Sequence, residues 1–188
     1  MKKTFLDSCI VLMVAAVLTS SLQSCSKIAR LFNYNLAMQS ASVTVSIPPS
    51  STLGKTIVFG SMANSYNVDS FIRASTLGTM GINNITSIKL MSCVLTLQNP
   101  TPTDNFANLS SCSASFSTNN ENPYEISVSN NPDVYATSLT LPVDTSVQLK
   151  SYINGNDFNY SLGGQLRRAS KDTLQCTIQF TYSINVQG

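Results

Sequence analysis

The stretch Leu174-Gln175-Cys176-Thr177-Ile178-Gln179-Phe180-Thr181-Tyr182-Ser183-Ile184-Asn185-Val186 alternates apolar and polar side chains without a break. Apolar residues at every second position place one set of side chains on each face of an extended chain. The stretch therefore reads as a β-strand with one buried face and one wet face. Ser42 to Ile47 repeats the pattern with Val43, Val45 and Ile47 inward, until Pro48-Pro49 stop the strand. Upstream, Phe32, Tyr34, Leu36 and Met38 alternate in the opposite phase. A bend or bulge around Gln39 to Ala41 reconciles the two, because one extra residue returns the apolar set to the same face.

Further strands are expected at Thr56 to Phe59, Thr86 to Gln98, Cys112 to Thr118, Tyr124 to Ser129, Ser138 to Val143, Asp157 to Leu162 and Gln165 to Ala169. Turn residues separate them: Asn99-Pro100, Asn119-Asn120, Asn130-Asn131-Pro132-Asp133, Asn154-Gly155 and Gly163-Gly164. The glycine pair reads as a two-residue hairpin turn between the strands on either side of it. Two segments break the rhythm. Asn67 to Gly78 opens on a capping residue and closes on glycine, which predicts a short helix, and Val147 to Ile153 is a second candidate. Many short strands at intervals of roughly 8 to 12 residues predict an all-β fold: an antiparallel β-sandwich, immunoglobulin-like or jelly-roll-like, with one or two short helices.

The 188 residues are 43% hydrophobic and 11% charged, enough for one ordinary domain and too apolar for a disordered tail. The charge deficit is filled by Ser, Thr and Asn, which suits exposed strands and turns. The domain is expected over residues 32–188.

Residues 1–24 have the layout of a secretory signal peptide. Lys2-Lys3 come first, Cys9 to Leu18 is a ten-residue apolar run, and Thr19-Ser20-Ser21 returns the chain to small polar residues. The run is shorter than the 18 or so residues that an uninterrupted membrane span needs. Leu22-Gln23-Ser24-Cys25 follows, and it resembles the lipobox of bacterial lipoproteins. That resemblance implies cleavage between Ser24 and Cys25, a diacylglyceryl group on the Cys25 thiol, and usually an acyl group on its new amine. Two or three acyl chains make a stable anchor, since each buried CH₂ contributes about 0.8 kcal/mol. Residues 25–31 would then be a lipidated tether. The basic stretch Ser26-Lys27-Ile28-Ala29-Arg30 lacks an early Asp, which by the same resemblance permits transport to the outer membrane. The Asn-rich mature region looks like the small lipoproteins of Bacteroidota, in which this basic flank implies the periplasmic leaflet. The partners expected are the membrane, through the lipid, and an envelope protein or glycan.

Cleavage would remove two lysines and one aspartate, leaving a formal charge of +1. A near-neutral chain with only Arg167-Arg168 adjacent lacks the basic patch of a nucleic-acid binder, and that pair reads as a solvated strand edge. There is no histidine, so the usual general base, triad partner and commonest metal ligand are all missing. No catalytic residue, metal site or cofactor is expected. Asn119-Asn120-Glu121-Asn122 and Asn130-Asn131-Pro132-Asp133 are oxygen-rich enough to weigh for calcium, but their spacing matches no EF-hand loop and they read as turns. Cys93, Cys112 and Cys176 sit in apolar register with no CxxC spacing, which reads as small buried hydrophobes, the alternative being a Cys112–Cys176 or Cys93–Cys112 bridge if their strands are neighbours. Tryptophan is absent, so a sugar platform would need tyrosine. Tyr152 and Tyr160 fall in apolar patterns, which leaves Tyr66 and Tyr135 as candidate ligand-binding residues. The expected role is non-catalytic: interaction or envelope structure. Glycan binding is the first alternative. The second is strand exchange in a fibre or adhesin, because Leu174 to Val186 ends close to the last residue.

Overall fold

The structure, a computed structural model, describes residues 32–40, 42–118, 121–153 and 156–188. In chain order the elements are β1 (Asn33–Gln39), β2 (Val43–Ile47), β3 (Thr56–Ser65), α1 (Val68–Ser75), β4 (Ile85–Leu97), β5 (Leu109–Ser117), β6 (Tyr124–Val128), β7 (Ser138–Leu141), β8 (Asp157–Leu166) and β9 (Leu174–Gln187). Single 3-10 turns precede β4 and β5, and a third occupies Lys150–Ile153.

Two antiparallel sheets pack face to face as a β-sandwich. One runs β1-β9-β4-β7, with β2 continuing along the β1 edge, and the other runs β3-β8-β5-β6. With β1 and β2 taken as one broken strand, the pairs are nested: β1/β2 with β9, β3 with β8, β4 with β7, and β5 with β6. Successive nested pairs go to alternate sheets, so the chain is one long hairpin rolled into a double-sheet jelly roll. In an immunoglobulin domain the first two strands lie side by side, whereas here the first strand pairs with the last.

β9 is the spine of the molecule. All seven of its apolar residues are buried, and it is bonded on both sides, to β1 and β2 and to β4. The expected bulge is present. Gln39 faces Thr181 and Val43 faces Ile178, so β1/β2 carries one more residue than β9 across that interval. At the break, the Ser40 amide donates to the Phe180 carbonyl at 2.8 Å and the Phe180 amide donates to Ser40 Oγ at 3.0 Å. β4 uses the same device twice. Its buried residues Ile85, Ile88, Leu90, Cys93, Leu95 and Leu97 jump by three at 85–88 and 90–93, where the register with β9 shifts. Edge-to-face contact of Phe116 on β5 with Phe180 on β9, 5.3 Å between ring centres, joins the two sheets.

Three expectations are corrected. Gly163-Gly164 is not a hairpin turn: β8 runs unbroken through it from Asp157 to Leu166. The glycines are there because β5 and β3 approach too closely for a side chain. A Cβ on Gly164 would lie 2.3 Å from the Ser111 carbonyl oxygen, and one on Gly163 would lie 3.0 Å from that of Ile57. β3 extends well past Phe59 to Ser65, because its second half is held by pairing with β8 rather than by an alternating pattern of its own. Arg167-Arg168 is not a solvated edge but a clamp between loops, described below. The helix over 67–78 forms as α1, with Asn67 Oδ1 accepting the Ser70 amide at 2.8 Å, and ends through Leu77 and Gly78, both in the left-handed region. The Val147 to Ile153 candidate shortens to the turn Lys150–Ile153.

Candidate functional site

The register gives the sandwich two distinct ends. At one end Asn33 faces Gln187, Ile85 faces Val186 and Ser65 faces Asp157, with α1 beyond Ser65. This is where residue 32 joins the fold, and the Gly188 amide donates to the Phe32 carbonyl at 3.2 Å. At the other end Ile47 faces Leu174, Leu97 faces Cys176 and Leu109 faces Leu166. Three loops meet there, following β4, β6 and β8. Between them lies a cleft of about 450 Å³, lined by Thr103, Asp104, Asp133, Tyr135, Arg168 and Lys171 among others. That volume falls within the roughly 300–1,000 Å³ of small-molecule sites.

Side-chain amides and guanidinium groups hold the three loops by satisfying backbone groups that no strand pairs. Asn105 caps a 3-10 turn, accepting the Ala107 amide at 2.9 Å and donating to the Thr101 carbonyl at 3.2 Å. Asn108 donates to the Thr103 carbonyl at 2.9 Å. Asn131 is buried, and its amide nitrogen donates to the carbonyls of Phe106 at 2.7 Å and Leu109 at 3.0 Å. Arg167 donates to the carbonyls of Ala107 at 3.2 Å and Asn131 at 2.5 Å, and Arg168 donates to that of Ala107 at 2.9 Å. Both guanidinium groups also pair with Asp133. Asp104, only 1% exposed, accepts the Lys171 amide at 3.1 Å and the Asn108 side chain at 3.3 Å on Oδ1. The walls of the cleft are therefore braced, and both of its carboxylates are engaged.

Tyr135 stands on this cleft with 55% of its surface exposed. Tyr66 does not join it. It follows β3 at the opposite end, half-buried against Phe71 at 6.5 Å between ring centres, and burial raises its phenol pKa. The ten residues of β8 separate the two ends, so the tyrosines form no shared platform. Tyr160 is in the core. Tyr152 packs edge-on against Phe116 at 5.4 Å and donates to the Asn122 carbonyl at 2.9 Å. Ser24 and Cys25 lie outside the described residues, as do Asn119 and Asn120 of the first oxygen-rich loop. In the second, Asn131 turns inward and Asp133 is spoken for by two arginines. Among the described residues no group of three or more acidic, cysteine or histidine side chains could hold a metal ion. No helix among them is long and apolar enough to cross a membrane.

Cys93, Cys112 and Cys176 are free and buried. Desolvation, with a smaller contribution from Cys176, pushes the Cys93 thiol up to about 12; desolvation also pushes Cys176 to about 12, and Cys112 is raised as well. Thiolates are the nucleophilic form, so these positions are inert in the folded protein. The contributions of Asp104, Arg168 and Lys171 to the cleft had no local signal: Asp104 lies more than 60 residues from the other two along the chain and meets them only through strand pairing.

No family model matches the chain, and no curated protein matches it. Solved structures give distant likenesses. A chain of infectious bursal disease virus Gx strain aligns at 10% identity and a TM-score of 0.38 over 83% of this protein and 33% of that chain. This protein thus spans about a third of that viral chain. The decameric BFDV capsid protein aligns at 9% identity and 0.38 over 84% and 100%, and the capsid of Helicobacter pylori bacteriophage KHP30 at 13% and 0.28 over 82% and 100%. At these scores the likenesses carry no argument about function.

Proposed function

We propose that this protein is an envelope lipoprotein, anchored through Cys25, whose jelly roll is a non-catalytic binding module that presents its cleft away from the bilayer. The observation that carries the reading is the polarity of the fold. The segment leading from Cys25 enters at one end, and the cleft opens at the other, the length of β9 away. Fourteen residues at about 3.3 Å each put roughly 45 Å between them. The Leu22-Gln23-Ser24-Cys25 resemblance supplies the anchor, and the basic flank after it supports the outer membrane with the domain in the periplasm. A binding role fits the lining, whose carboxylates already serve the loops, in a chain without histidine to act as a base.

Glycan binding is the form of this role that Tyr135 favours, because an exposed ring on a polar cleft offers a pyranose a flat face to stack on. Strand exchange by β9 has less behind it, since that strand is central and giving it up would dismantle a sheet. Detergent phase partition of membranes from expressing cells tests the anchor. Wild type is expected in the detergent phase and Cys25→Ala in the aqueous phase. Equal partition of the two would overturn the reading.

A further inference from the structure

We infer that the cleft at the loop end takes an acidic saccharide, a sugar bearing a carboxylate, with Tyr135 against the ring and Lys171 on the acid. This deepens the proposed binding role and rests on it. The cleft's charges decide the class. Asp133 is shared by Arg167 and Arg168, so two guanidinium groups meet one carboxylate. The Asp104 carboxylate is held by the Lys171 amide and the Asn108 side chain. Asp133 is taken up by the guanidinium groups, and burial shuts Asp104 away from a ligand's amine. Lys171, by contrast, is exposed and makes no ion pair with the described residues, and its neighbour Asp172 is exposed but does not line the cleft. Arg167, Arg168 and Lys171 against Asp104 and Asp133 leave a formal charge of +1 among them, and its exposed, unpaired carrier is the Lys171 ammonium group. An ammonium group recognises a carboxylate as a point charge, without the bidentate geometry that arginine demands.

The rest of the lining selects a sugar over a fatty or aromatic acid. Thr103 brings a hydroxyl to the wall beside the amides of Asn105 and Asn108 that hold the loops, and Tyr135 is the one aromatic ring among the lining residues. A ligand with one stacking face and hydroxyl groups around it matches an exposed ring set among polar side chains. The braced loops mean that little ordering is needed on binding, which favours affinity from few contacts.

The test is titration calorimetry of the full mature protein in detergent micelles with trigalacturonate and trimannuronate, and with the methyl ester of trigalacturonate, which keeps the ring and removes the charge. At least one acidic trimer is expected to bind at least tenfold more tightly than the ester. Lys171→Gln should weaken the acid at least tenfold and leave the ester unchanged, while Lys89→Gln, on β4 away from the cleft, should change neither. Tyr135→Ala should weaken both ligands. If acid and ester bind alike and both depend on Tyr135, the acidic class is wrong although the cleft remains a saccharide site. If neither trimer binds, or binding ignores both Lys171 and Tyr135, the inference is overturned, while the anchored module it rests on is judged separately by the detergent partition of Cys25→Ala.

Discussion

Gly164→Ala tests the placement of β8 as a continuous central strand. In the fold Gly164 faces Cys112 across the β5–β8 ladder, beside the register shift between Leu109 and Ser111. An added Cβ would sit 2.3 Å from the Ser111 carbonyl oxygen and 3.2 Å from Cys112 Cα. Carbon-to-oxygen contacts between strands settle at about 3.3–3.6 Å, so β5 and β8 must part by roughly 1 Å where both are bonded to other strands. The obstacle is backbone, which cannot rotate aside. Overpacking of this kind costs about 1–3 kcal/mol and sometimes more, offset by about 0.4–1 kcal/mol because alanine restricts the unfolded chain. A net loss of about 2 kcal/mol is expected, which for a chain of this size lowers Tm by roughly 4–8 °C. Gly163→Ala meets Ile57 oxygen at 3.0 Å and Ser113 Oγ at 3.3 Å, a milder conflict with an expected cost of about 1 kcal/mol. Urea unfolding followed by far-UV circular dichroism measures both. The reasoning is refuted if Gly164→Ala stays within about 1 kcal/mol of wild type, or if the two substitutions cost the same, as they would at the two positions of a turn.

Asn131→Asp should destabilise by about 3 kcal/mol or more in the same assay, since it sets an acceptor against the carbonyls of Phe106 and Leu109 where a donor now stands; Asn131→Ala should cost less, about 1–3 kcal/mol. Phe116→Ala removes the ring that joins the sheets and should cost about 3–5 kcal/mol, read from the shift in urea midpoint at constant slope. Stability should also fall in alkali. Thiols that titrate near 9 when unfolded are raised to about 12 at Cys93 and Cys176 in the fold, so the folded state holds protons that the unfolded state has released. Their contribution is fully present below about pH 9 and is lost between about pH 9 and 12, at up to about 1.4 kcal/mol per pH unit for each thiol. Urea midpoints measured from pH 7 to 11 check this, and a flat profile above pH 9 would contradict it.

Much of the fold is legible in the sequence because much of it is local. The alternation from Leu174 to Val186 marks the spine, and the phase reversal between Met38 and Val43 marks a bulge that the register reproduces. The gaps of three between Ile85 and Ile88 and between Leu90 and Cys93 carry the same signal within β4. What escaped notice depends on contacts between distant residues. Two glycines between apolar runs read as a turn when nothing says that the Ser111 carbonyl presses on them. Arg167 and Arg168 read as a solvated edge because Asp133 and the Ala107 carbonyl, their partners, lie more than 30 and 60 residues upstream. Tyr135 could be picked out as an exposed aromatic residue. The cleft it stands on could not, since its walls come from three loops that only the nested pairing brings together.

The central claim is a lipid-anchored module with its cleft facing outward, and the most direct test is the intact mass and N-terminal peptide of the protein extracted from membranes, beside Cys25→Ala. The account predicts a mature chain that begins at Cys25 and carries two or three acyl chains there, with the variant uncleaved or released. A mature chain whose Cys25 is unmodified would contradict it.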